Sequence, residues 1–183
     1  MTGAKAVWYL SRGTGVTALA LLTLALVLGV LTRGARPLPG LPRFVTAGLH
    51  RNASLLALAL LVVHIVTTVI DRFALTGLVD VVVPFRGGYR PVWVGLGTLA
   101  LDLFAAVTLT SLLRSRLPDR VWRTVHLTAY ACWPLAVLHG TMSGTDAGRV
   151  WSVAVTVVCV AAGLGSVLWR LTRSEFRSEL VPR

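Results

Sequence analysis

Five apolar stretches, each about as long as a bilayer is thick, constrain this chain more than any other feature of its sequence. They cover residues 15–31, 50–70, 92–113, 123–142 and 150–169. A membrane-spanning helix needs roughly 20 mostly apolar residues, because every backbone polar group in hydrocarbon must find its partner within the helix. The sequence therefore predicts an all-α integral membrane protein, a bundle of five transmembrane helices.

The composition supports one membrane domain and excludes an ordinary soluble one. Of the 183 residues, 55% are hydrophobic and 14% are charged, and the mean hydropathy is +0.76; soluble domains are far more polar. We expect residues 1–176 to form a single transmembrane domain and 177–183 a tail, in which 180–183 matches the scar of a thrombin-type protease. The first stretch also resembles a signal peptide, but no small-x-small cleavage site follows it, which favours a true span.

The net charge of +11 indicates orientation rather than a nucleic-acid partner, since Lys and Arg accumulate in the cytoplasmic loops of membrane proteins. One face of the predicted bundle carries six basic residues: Lys5, Arg12, Arg72, Arg86, Arg90 and Arg149. The other face carries eleven: Arg33, Arg36, Arg43, Arg51, Arg114, Arg116, Arg120, Arg123, Arg170, Arg173 and Arg177. The count predicts an N-terminus outside and a C-terminus in the cytoplasm. The preference for Arg over Lys is typical of a GC-rich bacterial genome, so we expect a bacterial plasma membrane.

All four histidines lie inside the predicted spans, in two pairs. His50 and His64 are separated by 14 residues, and His126 and His139 by 13. An ionisable residue in hydrocarbon is costly and usually faces the bundle interior, which makes it a functional hypothesis by default. Fourteen residues are nearly four helical turns, about 21 Å, so His50 and His64 share one face near opposite membrane surfaces.

The second spacing fits a straight helix less well. On an ideal helix, 13 residues leave His139 about 140° out of phase with His126. Two explanations stay open. Pro134 lies between them and removes the hydrogen bond to the carbonyl of Tyr130, which can kink or rewind the helix; alternatively, the two haem planes are rotated relative to one another.

Histidine pairs on two spans indicate two stacked haems, because haem iron accepts one axial imidazole from each side of the ring. A single such histidine would more simply be a hydrogen-bonded residue between helices, but the four together favour the cofactor. Zinc or copper is the competing ligand. A metal ion gathers its ligands within about 2 Å, whereas the two histidines of each helix lie about 20 Å apart, and neither Cys nor carboxylate lies at helical reach of them.

Three features carry a family resemblance. They are the separations of 14 and 13 on two spans with one span between them, the segment 126–140 (HLTAYACWPLAVLHG), and the segment 110–114 (TSLLR) ahead of a basic loop. In these features the chain resembles the ferric reductase-like transmembrane domain, which is shared by ferric reductases, NADPH oxidases and the haem subunit of the bacterial methionine sulfoxide reductase system. Family members commonly have six spans, and this chain shows five.

The resemblance implies two haem b groups, the inner one held by His50 with His126 and the outer one by His64 with His139. The charge count independently places His50 and His126 at the cytoplasmic ends of their helices. The implied function is that of an oxidoreductase or electron-transfer subunit, which passes electrons from the cytoplasmic side to an outer acceptor. That acceptor stays open between a ferric chelate, dioxygen, a quinone and a protein.

The electron donor is not indicated by any motif in the chain. Neither a Gly-rich phosphate loop nor a strand pattern follows the last span, so we expect no nucleotide or flavin domain on this chain. A separate flavoprotein, docking on the basic loop at 114–123, or a quinol would then supply the electrons.

Several further residues are candidates for contact with the cofactors. Haem propionates are anionic and favour arginine, and the candidates are Arg51 and Arg123 beside the inner histidines and Arg86 and Arg90 on the outer loop. Snorkelling to lipid headgroups explains each of them equally well. Trp133 lies midway between His126 and His139, where an aromatic ring between the haems and a packing or lipid-facing Trp are both consistent with the sequence.

Asp102 and the two cysteines complete the set of unusual residues in the spans. A lone carboxylate there is expensive unless it is protonated or paired, and we expect a hydrogen bond to Thr98, four residues earlier on the same face, with a proton-coupled role as the alternative. Cys132 and Cys159 are expected to be small packing residues without a disulfide.

A non-redox membrane module is the rival interpretation of the whole chain. It would be a transporter subunit or anchor whose histidines bind a transition metal or only form hydrogen bonds. The colour of the purified protein distinguishes the two, because haem absorbs strongly in the visible range.

Overall fold

The computed structural model describes residues 3–32, 42–71 and 76–179, and this part of the chain is entirely helical. Six α-helices follow one another: α1 (Gly3–Thr32), α2 (Arg43–Ile70), α3 (Pro91–Leu112), α4 (Asp119–Leu127), α5 (Ala129–Met142) and α6 (Val150–Glu179). Two short 3₁₀ helices, Leu78–Val81 and Arg114–Arg116, lie in the connections. The all-α prediction is confirmed for the described residues. The protease scar at 180–183 and the basic residues Arg33, Arg36 and Arg72 lie outside them.

Four of the helices are long and apolar enough to cross a membrane: Lys5–Thr32, Arg43–Ile70, Pro91–Leu112 and Val150–Thr172. The shortest has 22 residues, which corresponds to about 33 Å at the helical rise and so exceeds the hydrocarbon thickness. Four of the five predicted spans are thus confirmed as continuous helices, and the chain is a multi-pass membrane protein.

The stretch predicted as the fourth span is not one continuous helix. It is interrupted at Thr128, where α4 ends and α5 begins. The amide of Thr128 donates to the carbonyl of Val125, three residues back, over 3.0 Å, which is the tighter hydrogen-bond pattern of a 3₁₀ turn. Pro134 lies inside α5, so the chain is interrupted at Thr128 and not at the proline. The ideal-helix phase between His126 and His139 therefore does not apply, since they belong to different helices.

The helices pack through small residues, as expected where lipid removes the hydrophobic drive for helix association. α1 packs along α2, and α1 also contacts α5 and α6, while α3 packs on α5. Ala18, Ala25, Ala53 and Ala57 are buried in α1 and α2, and their lack of bulk allows the two backbones to approach. Many leucines and valines are exposed instead. In a membrane protein, such side chains form the surface that contacts lipid.

The described ends of the helices define two faces of the bundle. The N-terminal face contains the start of α1, the end of α2, the start of α3 and the turn from α5 to α6; the C-terminal face contains the opposite ends. At the N-terminal face, the hydroxyl of Tyr89 donates to the carbonyl of Ser143 over 3.1 Å, and Arg90 donates to the carbonyl of Met142. These bonds fix the loop before α3 onto the end of α5.

Candidate functional site

The four histidines meet in two pairs across the bundle. In the first pair, the ring centres of His50 and His126 are 6.2 Å apart and their planes are inclined by 66°. In the second pair, the ring centres of His64 and His139 are also 6.2 Å apart, with the planes inclined by 78°. The first pair lies toward the C-terminal face and the second toward the N-terminal face, so one helix, α2, contributes a histidine to each.

Three of the four imidazoles are held by backbone carbonyls of a neighbouring helix. The Nδ1 atom of His50 lies 2.8 Å from the carbonyl oxygen of Ala25, that of His64 lies 2.8 Å from that of Ser11, and that of His139 lies 3.0 Å from that of Trp93. A carbonyl can only accept a hydrogen bond, so Nδ1 is the protonated nitrogen in each neutral ring. The lone pair of Nε2 is then available to a metal, which is the arrangement that metal-binding histidines usually show.

A glycine lies four residues after each of these carbonyls, on the same helix face: Gly29 after Ala25, Gly15 after Ser11 and Gly97 after Trp93. A Cβ on Gly15 would lie 2.8 Å from Nδ1 of His64, and a Cβ on Gly97 would lie 2.6 Å from Cε1 of His139. The absence of a side chain is what lets the imidazoles of His64 and His139 reach the backbone, whereas a Cβ on Gly29 would lie 3.2 Å from Cε1 of His50. The sequence did not draw attention to Gly15 and Gly29, although their 14-residue spacing equals that of His50 and His64.

Side chains contact the fourth imidazole, that of His126. Its Nδ1 lies 3.5 Å from the hydroxyl oxygen of Ser111 on α3. The ring of Trp122 stacks on it, with centres 4.9 Å apart and planes inclined by 25°. The indole nitrogen of Trp122 also donates to the Ser111 hydroxyl, over 3.4 Å.

The spacing of each pair suits one metal ion held between two imidazoles. A metal bonded to a ring nitrogen at about 2 Å lies about 3 Å from the ring centre, so two axial rings on one ion have centres roughly 6 Å apart. Both observed separations are 6.2 Å. A bare ion would need more ligands, since structural sites have four, and the described residues contain no group of three or more His, Cys, Asp or Glu side chains placed to hold one. A haem, which supplies four ligands of its own, fits this donor set.

Two cavities surround the pairs and share a partition. One is lined by His64 and His139, the other by His50 and His126. Three residues line both cavities, Leu22 of α1, Phe104 of α3 and Cys132 of α5. Phe104 and Cys132 are buried in the central cluster. The partition between the two pairs is therefore apolar and contains one aromatic ring.

Trp133, the residue considered from sequence for a place between the cofactors, lines the cavity of the first pair. Its indole nitrogen donates to the hydroxyl of Thr23 on α1 over 2.9 Å, and the side chain is buried. On its other side the ring lies against Gly163 of α6, where a Cβ would meet Cη2 at 2.6 Å. Through these contacts, Trp133 of α5 packs against both α1 and α6.

The four arginines considered from the sequence for propionate contact differ in their surroundings. Arg51 lines the cavity of the first pair. Arg123 and Arg86 are exposed and are not among the cavity-lining residues, and Arg90 donates to the carbonyl of Met142. Arg12, counted from sequence only as a loop charge, lines the cavity of the second pair.

Arg12 connects α1 to the turn after α5. Its Nε lies 2.7 Å from Oδ1 of Asp146 and donates to Oδ2 over 3.0 Å, and one terminal nitrogen donates to the carbonyl of Gly140 over 3.1 Å. Asp146 is 7% exposed, and Oδ1 accepts no well-formed hydrogen bond in the described structure. A buried pair of this kind fixes geometry, because breaking it would leave one charge unpaired in a nonpolar region.

The expected hydrogen bond between Thr98 and Asp102 is not formed. Thr98 donates instead to the carbonyl of Asp80, over 2.8 Å. Thr98 is buried and Asp102 is exposed on the outer surface of α3, so the side chains are directed to different environments despite their spacing. Cys132 and Cys159 are both free and buried, as expected for packing residues.

The basic loop begins with an anchored arginine. Arg114 donates to Asp119 over 2.7 Å and its guanidinium lies 4.1 Å from the ring centre of Trp122. The hydrogen bond and charge of Arg114 lower the pKa of Asp119, which is fully exposed. Asp119 is also the first residue of α4, where a carboxylate is favoured by the helix dipole.

A family model described as a ferric reductase like transmembrane component matches residues 14–137. The match covers more than half of the chain, includes His50, His64 and His126, and ends two residues before His139. Comparison with curated proteins and with solved structures gave no match. The matched region contains three of the four paired histidines. The chain belongs to the family of ferric reductase-like transmembrane components.

Proposed function

We propose that this protein is a transmembrane b-type dihaem cytochrome that passes electrons from the cytoplasmic side to an extracytoplasmic acceptor. The observation that carries the proposal is the spacing of the two pairs, 6.2 Å between ring centres in each, which suits two axial imidazoles on one iron. Family membership supports an electron-transfer module in the membrane. A haem held at each pair supplies reversible one-electron redox chemistry.

The chain's own residues hold and orient the cofactors. His50 and His126 would hold the inner haem, and His64 and His139 the outer haem. The backbone carbonyls of Ala25, Ser11 and Trp93 fix the tautomer of three of these rings and raise the basicity of Nε2. A haem iron bound by two of these histidines would offer no open position to an acceptor, so the chain would transfer electrons and would not bind the acceptor at the iron.

Arginine positions at the cavities support anion binding at the cofactor edges. Arg51 lines the first cavity, and we assign it to a haem propionate. Arg12 lines the second cavity but is paired with Asp146, so we assign it to closing that cavity. Arg86, Arg90 and Arg123 lie near the two faces and are secondary candidates for propionate contact. Trp133 and Phe104 are the candidates for an aromatic group between the haems, and Phe104 lines both cavities.

The direction of transfer rests on the basic residues. More of them lie on the C-terminal face, which favours a cytoplasmic position for that face and for the first pair. The donor is proposed to be a flavoprotein docking on the basic loop or a quinol, and the outer acceptor stays open between a ferric chelate, dioxygen, a quinone and a protein. A bacterial plasma membrane is the proposed location.

Transfer across a sealed membrane tests the function. The purified, haem-loaded protein is reconstituted into vesicles that contain dithionite, and the reduction of external ferricyanide is followed by absorbance. We expect the rate to exceed that of protein-free vesicles at least severalfold and to fall to their level for His64→Ala. A haem-loaded wild-type protein that transfers electrons no faster than empty vesicles would overturn the proposal.

A further inference from the structure

The four proposed ligands are not held in the same way. Three imidazoles are oriented by backbone carbonyls of α1 or α3, and no side-chain substitution can remove a backbone carbonyl; Nδ1 of His139 also lies 3.3 Å from the hydroxyl oxygen of Ser143. The imidazole of His126 contacts two replaceable side chains, the hydroxyl of Ser111 and the ring of Trp122. The contacts of Ser111 and Trp122 with His126 can therefore be altered one at a time by mutation.

The hydrogen bonds around Ser111 follow from the requirement for a neutral, metal-bound imidazole. If Nε2 of His126 binds iron, Nδ1 must carry the proton, so Nδ1 donates to the hydroxyl oxygen of Ser111 over 3.5 Å. The indole nitrogen of Trp122 can only donate, and it is directed to the same oxygen over 3.4 Å. The two lone pairs of that oxygen accept both bonds, so Ser111 connects the ligand to the ring stacked on it.

The stacked ring is itself fixed from the far side. The guanidinium of Arg114 lies over Trp122 at 4.1 Å and is held by Asp119, which gives a cation–π contact on an anchored cation. His50 is the group that faces His126 from α2. The imidazole of His126 is thus set in place by α3 through Ser111 and by α4 through Trp122.

We propose that Ser111 and Trp122 are positioning residues that orient the His126 imidazole and set the ligand geometry and midpoint potential of the inner haem alone. This inference rests on the proposed function. Hydrogen bonding from Nδ1 to an acceptor makes the imidazole a stronger electron donor and favours ferric iron, so loss of the acceptor raises the potential. The outer haem serves as an internal reference in the same molecule, because the hydrogen bonds of its proposed ligands are made to Ser11, Trp93 and Ser143 and not to Ser111.

The experiment compares six variants by redox titration and low-temperature EPR of the haem-loaded protein. Ser111→Ala removes the acceptor and Ser111→Thr restores a hydroxyl. Trp122→Leu removes the stacked ring, whereas Trp122→Phe keeps a ring and removes the N–H. Thr110→Ala is the matched control, because its hydroxyl donates within α3 to the carbonyl of Ala106 over 2.7 Å. His50→Ala removes one of the two proposed ligands of the inner haem and so identifies which signals belong to that haem.

We expect Ser111→Ala to increase the ratio of reduced to oxidised inner haem, at the wild-type midpoint, by roughly three- to tenfold, where tenfold is 59 mV for one electron. Ser111→Thr should restore the ratio, and Trp122→Leu should change the inner EPR signal more than Trp122→Phe. The outer haem and Thr110→Ala should stay at wild-type values.

Other results would contradict either the positioning role or the proposed dihaem function. Unchanged inner midpoint and EPR signal in both Ser111→Ala and Trp122→Leu, with two haems bound, would overturn the positioning role and leave the dihaem function intact. Equal shifts at both haems, or the same shift in Thr110→Ala, would also overturn it. If Ser111→Ala loses both haems, the midpoint potential of the inner haem in Trp122→Phe decides. A value shifted from that of the wild type supports the positioning role, and an unchanged value overturns it. A wild-type protein without haem would instead overturn the proposed function itself.

Discussion

Replacing Gly97 by alanine tests whether close approach to the backbone positions the proposed ligands. The new Cβ would lie 2.6 Å from Cε1 and 2.7 Å from Cγ of His139, whereas ordinary contact begins at 3.4 Å. Nδ1 is the ring atom nearest to the new Cβ, and the Cε1 contact alone requires the ring to move by at least about 0.8 Å, the difference between 3.4 Å and 2.6 Å, away from the carbonyl of Trp93. Overpacking of a tight site typically costs about 1–3 kcal/mol.

That cost predicts a clear loss of cofactor. Since each 1.4 kcal/mol is about tenfold in affinity, haem binding at the second pair should weaken roughly 5- to 150-fold in Gly97→Ala. Gly15→Ala should weaken the same site, because its Cβ would lie 2.9 Å from Cε1 of His64. Gly29→Ala should have little effect on the first pair, because its Cβ would lie 3.2 Å from Cε1 of His50, a shortfall of only 0.2 Å from 3.4 Å.

The assay is haem titration of the apoprotein in detergent, followed by the Soret band and calibrated by pyridine haemochrome. Gly165→Ala is the matched control, because no atom lies within 4 Å of its Cβ position, and alanine is favoured over glycine in a helix. Unchanged affinity of both sites in Gly97→Ala would refute the argument from close approach. Equal losses in Gly97→Ala and Gly165→Ala would refute it too.

Three further predictions follow from the same structure. Plane angles of 66° and 78° within the pairs predict strongly anisotropic low-spin EPR signals from both haems, and signals of parallel ligands would contradict the ring orientations. A cysteine introduced at Gly87 should react with an impermeant external reagent and one at Leu117 should not; the reverse labelling would exchange the inner and outer haems. The pKa of Asp119 is lowered from 3.8 by Arg114, so the stabilisation from their pair is fully present above pH 3.8 and is lost as the pH falls through the lowered pKa of the folded state. The ratio of the observed to the intrinsic amide exchange rate at the start of α4 should therefore rise on acidification in the wild type and not in Asp119→Asn, and equal pH profiles of this ratio would refute the pairing.

The sequence predicted the parts of the structure that depend on residue type and spacing along one helix. Five apolar stretches predicted the spans, and four of them are continuous helices. His50 and His64 share a face of α2 because 14 residues are nearly four turns. The resemblance also implied the observed partners, His126 for His50 and His139 for His64.

Contacts between distant segments could not be predicted from spacing. Arg12 and Asp146 are 134 residues apart, and nothing local marks them as a pair. The 13-residue spacing drew attention to Pro134, but the interruption lies at Thr128, since a proline within a helix is tolerated when neighbouring helices hold it. Asp102 and Thr98 have the right spacing for contact, yet the carbonyl of Asp80 offers Thr98 a closer acceptor from another segment.

The most direct test of the account is the haem stoichiometry of the wild-type chain and its four single histidine variants. The protein is purified from haem-replete cells and analysed by pyridine haemochrome and by the reduced-minus-oxidised spectrum. We expect two b-type haems per wild-type chain, loss of the same spectral component in His50→Ala and His126→Ala, and loss of the other in His64→Ala and His139→Ala. A colourless wild-type protein, or one component lost by both His50→Ala and His64→Ala, would contradict it.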